Sequence, residues 1–221
     1  MSPSALEARA AAAVDPCLPG YWGEACKHLS RRDRVMKKLI ASHPGVALAS
    51  RGDAFTTLAR SVVGQQISVK AAQSVWTRFE ALTQNMTPQS VLRLKVDDMR
   101  QAGLSARKVE YLVDLSLRFS SDALNVAQWP TMSDEDIIKE LVAIRGVGRW
   151  TAEMFLIFHL MRPNVLPLDD VGLLNGISRT YYSGEPVSRS EVRELATSWA
   201  PYSTVATWYI WRSLDPVPVN Y

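Results

Sequence analysis

The stretch that most restricts the fold runs from residue 141 to 170, where a tight turn separates two apolar helical segments. The turn is Gly146-Val147-Gly148, and glycine accepts positive φ and lets the backbone approach a partner closely, so a sharp hairpin is predicted. Helix propensity resumes at Arg149. The free N–H groups of that new helix N-terminus would point outward and form a site for an anion such as phosphate.

Two adjacent carboxylates follow the second helix. Asp169 and Asp170 come after a loop that is broken by Pro163 and Pro167. A glycine turn between helices is more often structural than functional, and an isolated aspartate at a helix start is most often an N-cap. The order of hairpin, loop and paired acids favours a functional site over a purely structural turn. The turn would hold a DNA phosphate, and one acid would act on the nucleotide beside it.

The hairpin resembles that of the helix-hairpin-helix (HhH-GPD) DNA glycosylases, and more narrowly that of the 3-methyladenine DNA glycosylase II family. Further segments in the same order are similar to segments of that family, namely residues 63–72, 103–108, 199–202 and 210–211. The resemblance covers residues 21–215. It implies an all-α fold of two helical lobes around a cleft, and a DNA glycosylase that flips and excises alkylated purines from duplex DNA in base excision repair.

The chain is expected to be one helical core with a tail at each end. Residues 1–20 are interpreted as a mobile N-terminal tail, residues 21–215 as two interleaved lobes with the hairpin at 141–152, and residues 216–221 as a C-terminal tail. Longer family members carry an N-terminal β-rich domain. The residues before Tyr21 are too few for such a domain, so a compact form without it is expected.

Hydrophobic periodicity and N-capping residues predict a chain that is helical nearly throughout. The predicted helices lie near residues 24–42, 54–64, 68–83, 88–94, 96–101, 105–120, 122–128, 134–144, 149–161, 170–181, 189–199 and 203–214. A hydrophobic content of 47% is sufficient for a sizeable core.

Charge and cysteine content exclude several classes of protein. The net charge of +3 is only mildly basic, so DNA binding would depend on a local basic face. Two cysteines are too few for an iron–sulfur cluster, and three scattered histidines do not suggest zinc. The basic run Arg31, Arg32, Arg34, Lys37 and Lys38 is expected to be a solvated face.

No apolar segment reaches the length of a membrane span, and no signal peptide is recognisable. Two reduced thiols suit a chain in the cytoplasm, associated with the nucleoid if the source is bacterial. The resemblance implies a monomer. The expected partner is double-stranded DNA that contains alkylated bases.

Asp170 is the predicted catalytic residue, and Asp169 is the alternative. A gapless match to the family counted from Gly148 reaches Asp170, and Leu173 and Ile177 then fall on a buried helix face. An alignment on Pro167 would favour Asp169 instead.

The residue after Arg149 sets the predicted reaction subtype. Similar enzymes that also cut the strand have a lysine there, whereas Trp150 has no amine and cannot form a Schiff base. Base excision without AP-lyase activity is therefore predicted. The resemblance also implies that Trp150, Met154 and Tyr202 line the base pocket, although aromatic residues at helical spacing are more often core.

The resemblance assigns the DNA contacts to six residues: Gln66, Lys108, Gly146, Gly148, Arg149 and Thr151. Gln66 stands at the tip of a turn that, in the family, enters the base stack and fills the gap left by the extruded nucleotide. Longer members have an apolar side chain there, whereas a glutamine can hydrogen-bond to the orphaned base.

No cofactor is required for this chemistry. The resemblance implies a structural Na⁺ or K⁺ at the hairpin, held by the backbone carbonyls of Val142, Ile144 and Val147. Three other interpretations remain: a non-catalytic helix-hairpin-helix DNA-binding module, a glycosylase for a different damaged or mismatched base, and an all-helical interaction protein without a DNA role.

Overall fold

The computed structural model describes residues 19–45, 47–48, 50, 52–121 and 123–214. The predicted N-terminal tail, apart from residues 19 and 20, and the predicted C-terminal tail lie outside these ranges. Within them the chain forms twelve α-helices and no β-strand. They are α1 (Trp22–Arg32), α2 (Arg34–Ser42), α3 (Ala54–Gly64), α4 (Val69–Glu80), α5 (Pro88–Leu92), α6 (Val96–Gln101), α7 (Ala106–Ser120), α8 (Asp134–Val142), α9 (Arg149–Phe158), α10 (Val171–Tyr181), α11 (Arg189–Ala196) and α12 (Ser203–Leu214).

The helices form two lobes, and one lobe combines helices from both ends of the chain. There, α1 and α2 pack against α12, which also packs against α10. In the other lobe α3 packs against α4, α7 and α9, α7 packs against α5 and α6, and α8 packs against α9. The predicted all-α fold is confirmed. None of the described helices is long and apolar enough to cross a membrane.

The segment between α9 and α10 joins the lobes and is held tightly to α12. Thr204, which is fully buried, donates its hydroxyl to the Arg162 carbonyl at 2.6 Å and accepts the Val165 N–H at 2.9 Å. The backbone N–H of Thr204 also donates to the Pro163 carbonyl at 3.0 Å. These bonds fix the point at which α10 begins.

The same segment is held to the other lobe by the Arg162 side chain. Its guanidinium donates to the carbonyls of Trp129 at 2.6 Å and Met132 at 2.9 Å. It also pairs with Asp134, the first residue of α8, at 3.2 Å. Because both lobes hold this segment, the start of α10 has a defined position relative to the hairpin.

The first helix was predicted as one unit, and the structure divides it at Asp33. This residue has extended backbone angles (φ −138°, ψ 117°) and caps α2 by accepting the N–H groups of Val35 at 2.8 Å and Met36 at 3.0 Å. Its other oxygen accepts the Tyr181 hydroxyl at 2.6 Å and the Trp199 indole N–H at 3.0 Å. The division thus provides a carboxylate that joins α1 and α2 to the C-terminal helices.

A second predicted helix, over residues 122–128, is wrong. Residue 122 lies outside the described ranges, and residues 126–131 form successive turns. Trp129 is buried there, and its indole N–H donates to Glu140 at 2.8 Å. The Asn125 backbone N–H donates to the same carboxylate at 3.1 Å, so this long-range partner favours turns over a helix.

In the lobe that contains α10, the helices α10 and α12 lie close together. A Cβ atom on Gly176 of α10 would lie 2.3 Å from Cγ2 of Ile210 and 3.3 Å from its carbonyl oxygen on α12. Ile210 is fully buried, and a β-branched side chain in a helix has few alternative rotamers. Glycine therefore sets the distance between α10 and α12.

We predict that Gly176→Ala lowers the free energy of unfolding by about 1–3 kcal/mol through overpacking, although alanine favours helix. Urea unfolding followed by tryptophan fluorescence measures the change. The matched control is Gly23→Ala in α1, where an added Cβ meets no atom within 4 Å and stability should rise by about 0.4–1 kcal/mol. Equal effects of the two substitutions would contradict the packing argument.

Candidate active site

The side chain of Asp170 is buried at the point where the lobe-joining segment enters α10. It is 6% exposed and caps the helix by accepting the Leu173 N–H at 2.6 Å. The same oxygen, Oδ1, accepts the indole N–H of Trp211 at 2.8 Å, and Oδ2 accepts that of Trp150 at 2.8 Å. Three neutral donors from three helices therefore fix this carboxylate in one orientation.

The neighbouring acid has a different environment. Asp169 is exposed, with 54% of its side-chain surface accessible, and pairs with Arg189 at 2.7 Å. An exposed ion pair of this kind contributes about 0–1 kcal/mol to stability. Of the two sequence candidates, only Asp170 meets Trp150, so the geometry favours the position reached by counting from Gly148.

Trp211 is a site residue that the sequence analysis did not assign. Its ring lies parallel to that of Phe158 on α9, with centroids 5.9 Å apart and planes 9° apart. Trp150 and Trp211 therefore approach the carboxylate from different lobes, and Phe158 stacks on Trp211. The only sequence signal was a tryptophan on the last predicted helix, whose indole N–H needs an acceptor wherever it is buried.

Tyr202, which was predicted to line the base pocket, lies elsewhere. It stacks on Tyr21 (centroids 6.4 Å apart) and meets the ring of His28 edge-on. Tyr202 precedes α12 and Trp211 lies near its end, so roughly 13 Å of helix separates them. Met154 is in the predicted region, one turn after Trp150, but is only 5% exposed and belongs to the core.

The hairpin has the predicted turn, with different roles for its two glycines. Gly146 has φ +78°, and a Cβ there would lie 2.1 Å from the Tyr111 ring. Gly148 does not use positive φ: it is the extended N-cap of α9 (φ −91°, ψ 173°) and provides no side-chain cap. An added Cβ on Gly148 would meet nothing within 4 Å. The N-terminus of α9 is thus open to an anion.

Arg149, a predicted phosphate contact, is engaged by two carboxylates. Its guanidinium makes a two-point contact with Glu135 of α8, and its Nε donates to Glu153 at 3.1 Å. The hydrogen bond to Glu135 raises the pKa of the guanidinium. Burial raises the pKa of Glu153, which lies one turn along α9. An arginine held in this way would have to exchange partners to bind a phosphate.

Two other predicted DNA contacts face inward. Thr151 is 6% exposed, which removes its side chain from a surface role. The ammonium group of Lys108 donates to the Val63 carbonyl at 2.7 Å in the last turn of α3, and burial lowers its pKa. The ammonium group of Lys108 is therefore directed toward α3, where it stabilises the turn that follows this helix.

That turn presents Gln66. Its side chain is exposed, and its backbone is left-handed with φ 58°. Its neighbour Gln65 donates its side-chain amide to the Gly146 carbonyl at 2.8 Å. One hydrogen bond therefore connects the Gln66 turn directly to the hairpin.

Comparison with known proteins establishes the family. Residues 59–201 match the HhH-GPD superfamily of base excision DNA repair proteins, and the chain belongs to that superfamily. Among curated relatives, the putative DNA-3-methyladenine glycosylase YfjP of Bacillus subtilis is 30% identical over 188 residues, which is 81% of this chain and 66% of that protein. DNA-3-methyladenine glycosylase 1 of Schizosaccharomyces pombe is 31% identical over 193 residues, which is 84% of this chain and 85% of that protein.

Solved structures show the same fold. A DNA-3-methyladenine glycosidase from Bacillus halodurans superposes with a TM-score of 0.80 at 34% identity, covering 86% of this chain and 89% of that one. The S. pombe 3-methyladenine DNA glycosylase Mag1, solved in complex with abasic DNA, gives a TM-score of 0.75 at 30% identity and covers 89% of this chain and 100% of that one.

The two glycines of the hairpin yield a prediction about stability. Gly146→Ala should lower the free energy of unfolding by about 2–4 kcal/mol, because it combines a strained φ with a clash against Tyr111. Gly148→Ala, in the same turn, should change it by less than about 0.5 kcal/mol. Urea unfolding of both variants measures the difference, and similar losses would contradict the assigned backbone roles.

Proposed function

We propose that this protein is a monofunctional DNA glycosylase, a hydrolase that flips alkylated purines such as 3-methyladenine out of duplex DNA and cleaves their N-glycosyl bond. The observation that supports this most directly is the buried Asp170 carboxylate, fixed by the indoles of Trp150 and Trp211 across the lobe boundary from an open helix N-terminus. The curated relatives named DNA-3-methyladenine glycosylase support the substrate class.

The strand is held at the hairpin. The uncapped N–H groups at the start of α9 and the positive end of its dipole suit a DNA phosphate. The open space beside Gly148 would let the DNA backbone approach closely. No protein atom lies within 4 Å of a Cβ added at Gly148, so packing within the protein does not require glycine there. A phosphate at this point would place the adjoining sugar toward the lobe boundary where Asp170 lies.

Extrusion of the target base costs a few kcal/mol, because stacking and pairing are lost. Gln66 is suited to fill the vacancy, since it is exposed on a turn that Lys108 and Gln65 hold in place. Its amide can hydrogen-bond to the orphaned opposite base. Ile67, 40% exposed next to it, would add apolar contact with the stack.

The chemistry follows from the charge of the leaving base. An alkylated purine such as 3-methyladenine is cationic, so its N-glycosyl bond is already weakened and no general acid is needed. The faces of Trp150 and Trp211 favour such a cation by about 0.5–2 kcal/mol. Asp170 then stabilises the positive charge that develops on the sugar, or orients the attacking water. The indole at position 150 provides no amine, which excludes Schiff-base lyase chemistry through that residue.

A monovalent cation at the hairpin, a monomeric state and a cytoplasmic location belong to the same proposal. Backbone carbonyls are neutral oxygen ligands that suit Na⁺ or K⁺. The Ile144 carbonyl accepts the Val147 N–H at 3.1 Å and keeps a second lone pair for a cation. Among the described residues, no group of His, Cys, Asp and Glu side chains could hold a metal ion.

Release of free base from methylated duplex DNA tests the function. Asp170→Asn should lower the rate of 3-methyladenine release by about 10²–10³-fold, because a fixed anion is lost from the site. Asp169→Asn removes only an exposed ion pair and should leave the rate nearly unchanged. Chromatography of the released base measures both rates.

Three results would contradict the proposal. If wild-type protein binds DNA but releases no base, the chain is a non-catalytic DNA-binding module. If it releases only oxidised or mismatched bases, the substrate class is wrong. Strand scission without alkali would contradict the argument from Trp150.

The role of Trp211 can be separated from packing. Trp211→Phe keeps an aromatic ring against Phe158 and removes the N–H that Asp170 accepts, so kcat for base release should fall about tenfold with stability nearly unchanged. Trp208→Phe is the control, since Trp208 is buried on the same helix and packs against Trp22. Trp208→Phe should lower stability and leave kcat of the folded protein unchanged. If Trp211→Phe instead lowers stability and leaves kcat unchanged, a role for the Trp211 N–H is excluded.

A further inference from the structure

Positive charge is concentrated in one short part of the chain, at the end of α1 and in α2. Residues 27–38 contain six basic residues and one acid, Asp33, for a net charge of +5. The whole chain carries +3, so the remaining residues sum to −2. The basic character of the protein therefore resides in this segment, which lies outside the hairpin and the lobe-joining segment.

The acid within the segment does not neutralise its surface. Asp33 is 9% exposed, and its two oxygens accept the four hydrogen bonds described above from Val35, Met36, Tyr181 and Trp199. Its charge is directed into the protein, whereas Lys27, Arg31 and Lys37 are exposed.

Those three cations surround a concavity of about 350 Å³ between α1 and α2, which Cys26 and Ser30 also line. On α1, residues four apart lie above one another, so Lys27 with Arg31 and Cys26 with Ser30 form two adjacent rows that line the concavity. Lys37 provides the opposite edge from α2. We refer to these five residues as the basic pocket.

Within the described part of the chain, the cations of the basic pocket form no ion pair. Among the described residues, no carboxylate oxygen lies within 4 Å of Lys27, Arg31 or Lys37. Like charges four residues apart, as in Lys27 and Arg31, disfavour a helix. The helix dipole accounts for Arg31 in the last turn of α1, but it does not account for Lys37 in the middle of α2.

The basic pocket and the catalytic carboxylate lie on different sides of α12. Cys26 Sγ is 3.5 Å from the Tyr209 hydroxyl, and Tyr209 precedes Trp211 by two residues. Two residues correspond to about 200° around a helix, so Trp211 and Asp170 lie on the far side. Burial raises the pKa of the Cys26 thiol, which keeps it neutral beside the three cations.

We propose that the basic pocket is a second phosphate-binding site, in which Lys27, Arg31 and Lys37 bind one phosphate group and the Ser30 hydroxyl donates to it. Ammonium and guanidinium groups with a hydroxyl donor are suited to a phosphate oxyanion. The phosphate is either one of duplex DNA beyond the segment held by the hairpin, which rests on the proposed function, or a free phosphate.

The salt dependence of binding tests the DNA source. The triple variant Lys27→Ala, Arg31→Ala, Lys37→Ala is compared with Arg93→Ala, Lys95→Ala, Arg193→Ala, which removes the same charge from exposed positions elsewhere. On a long undamaged duplex, the slope of log Kd against log salt should become shallower by about 0.9 for each DNA phosphate that the pocket variant no longer neutralises. On a duplex too short to extend past the hairpin, the pocket variant and the wild-type protein should have the same slope.

Inorganic phosphate tests the free source. Its binding is measured by calorimetry at constant ionic strength, with chloride as the comparison anion. Loss of phosphate binding in the pocket variant, with an unchanged slope on the long duplex, assigns the pocket to free phosphate. Unchanged slope and unchanged phosphate binding overturn the proposal, and so does an equal effect of both triple variants, which would reflect net charge alone.

Base release at low salt separates this proposal from the proposed function. At saturating methylated DNA the pocket variant should release 3-methyladenine with the wild-type kcat, because none of its changed residues lies near Asp170, and any weaker DNA binding should change only KM. If wild-type protein releases no base, the glycosylase proposal fails. Calorimetry with inorganic phosphate still tests whether the basic pocket binds phosphate.

Discussion

The site depends on the hydrogen bonds that fix the Asp170 carboxylate. A buried carboxylate is costly unless its oxygens are satisfied, and here two indole N–H groups and one backbone N–H satisfy them. The donors come from α9, α10 and α12, so the carboxylate also joins the two lobes. The same bonds that make burial of the charge tolerable hold it in the orientation that the proposed chemistry needs.

The surrounding structure maintains this arrangement. Thr204 and Arg162 hold the lobe-joining segment to opposite lobes, so Asp170 cannot shift independently of Trp150. Gly176 allows α10 to lie close to α12, which carries Trp211. Most of these groups are neutral, and the ion pairs of Asp169 with Arg189 and of Arg149 with Glu135 lie at the exposed margin.

Local features of the sequence predicted local structure well. The Gly146 turn, the all-α fold and the capping position of Asp170 follow from backbone preferences and spacing. Trp211 as a partner of Asp170, Glu135 as a partner of Arg149 and the bonds of Asp33 to Tyr181 and Trp199 were not predicted, because each joins residues more than ten positions apart. Tyr202 was assigned by position alone, and its contacts with Tyr21 and His28 explain why it lies elsewhere.

The sharing of one lobe by both ends of the chain has a consequence for biosynthesis. The helix α12 is the last described element, and it provides Trp211, the Thr204 contacts and the surface on which α1 and α2 pack. A nascent chain can form the hairpin lobe on the ribosome, but it cannot complete the hydrogen bonds of the Asp170 carboxylate until α12 has left the exit tunnel. Partly synthesised protein would therefore lack the complete Asp170 site even where its middle lobe has folded.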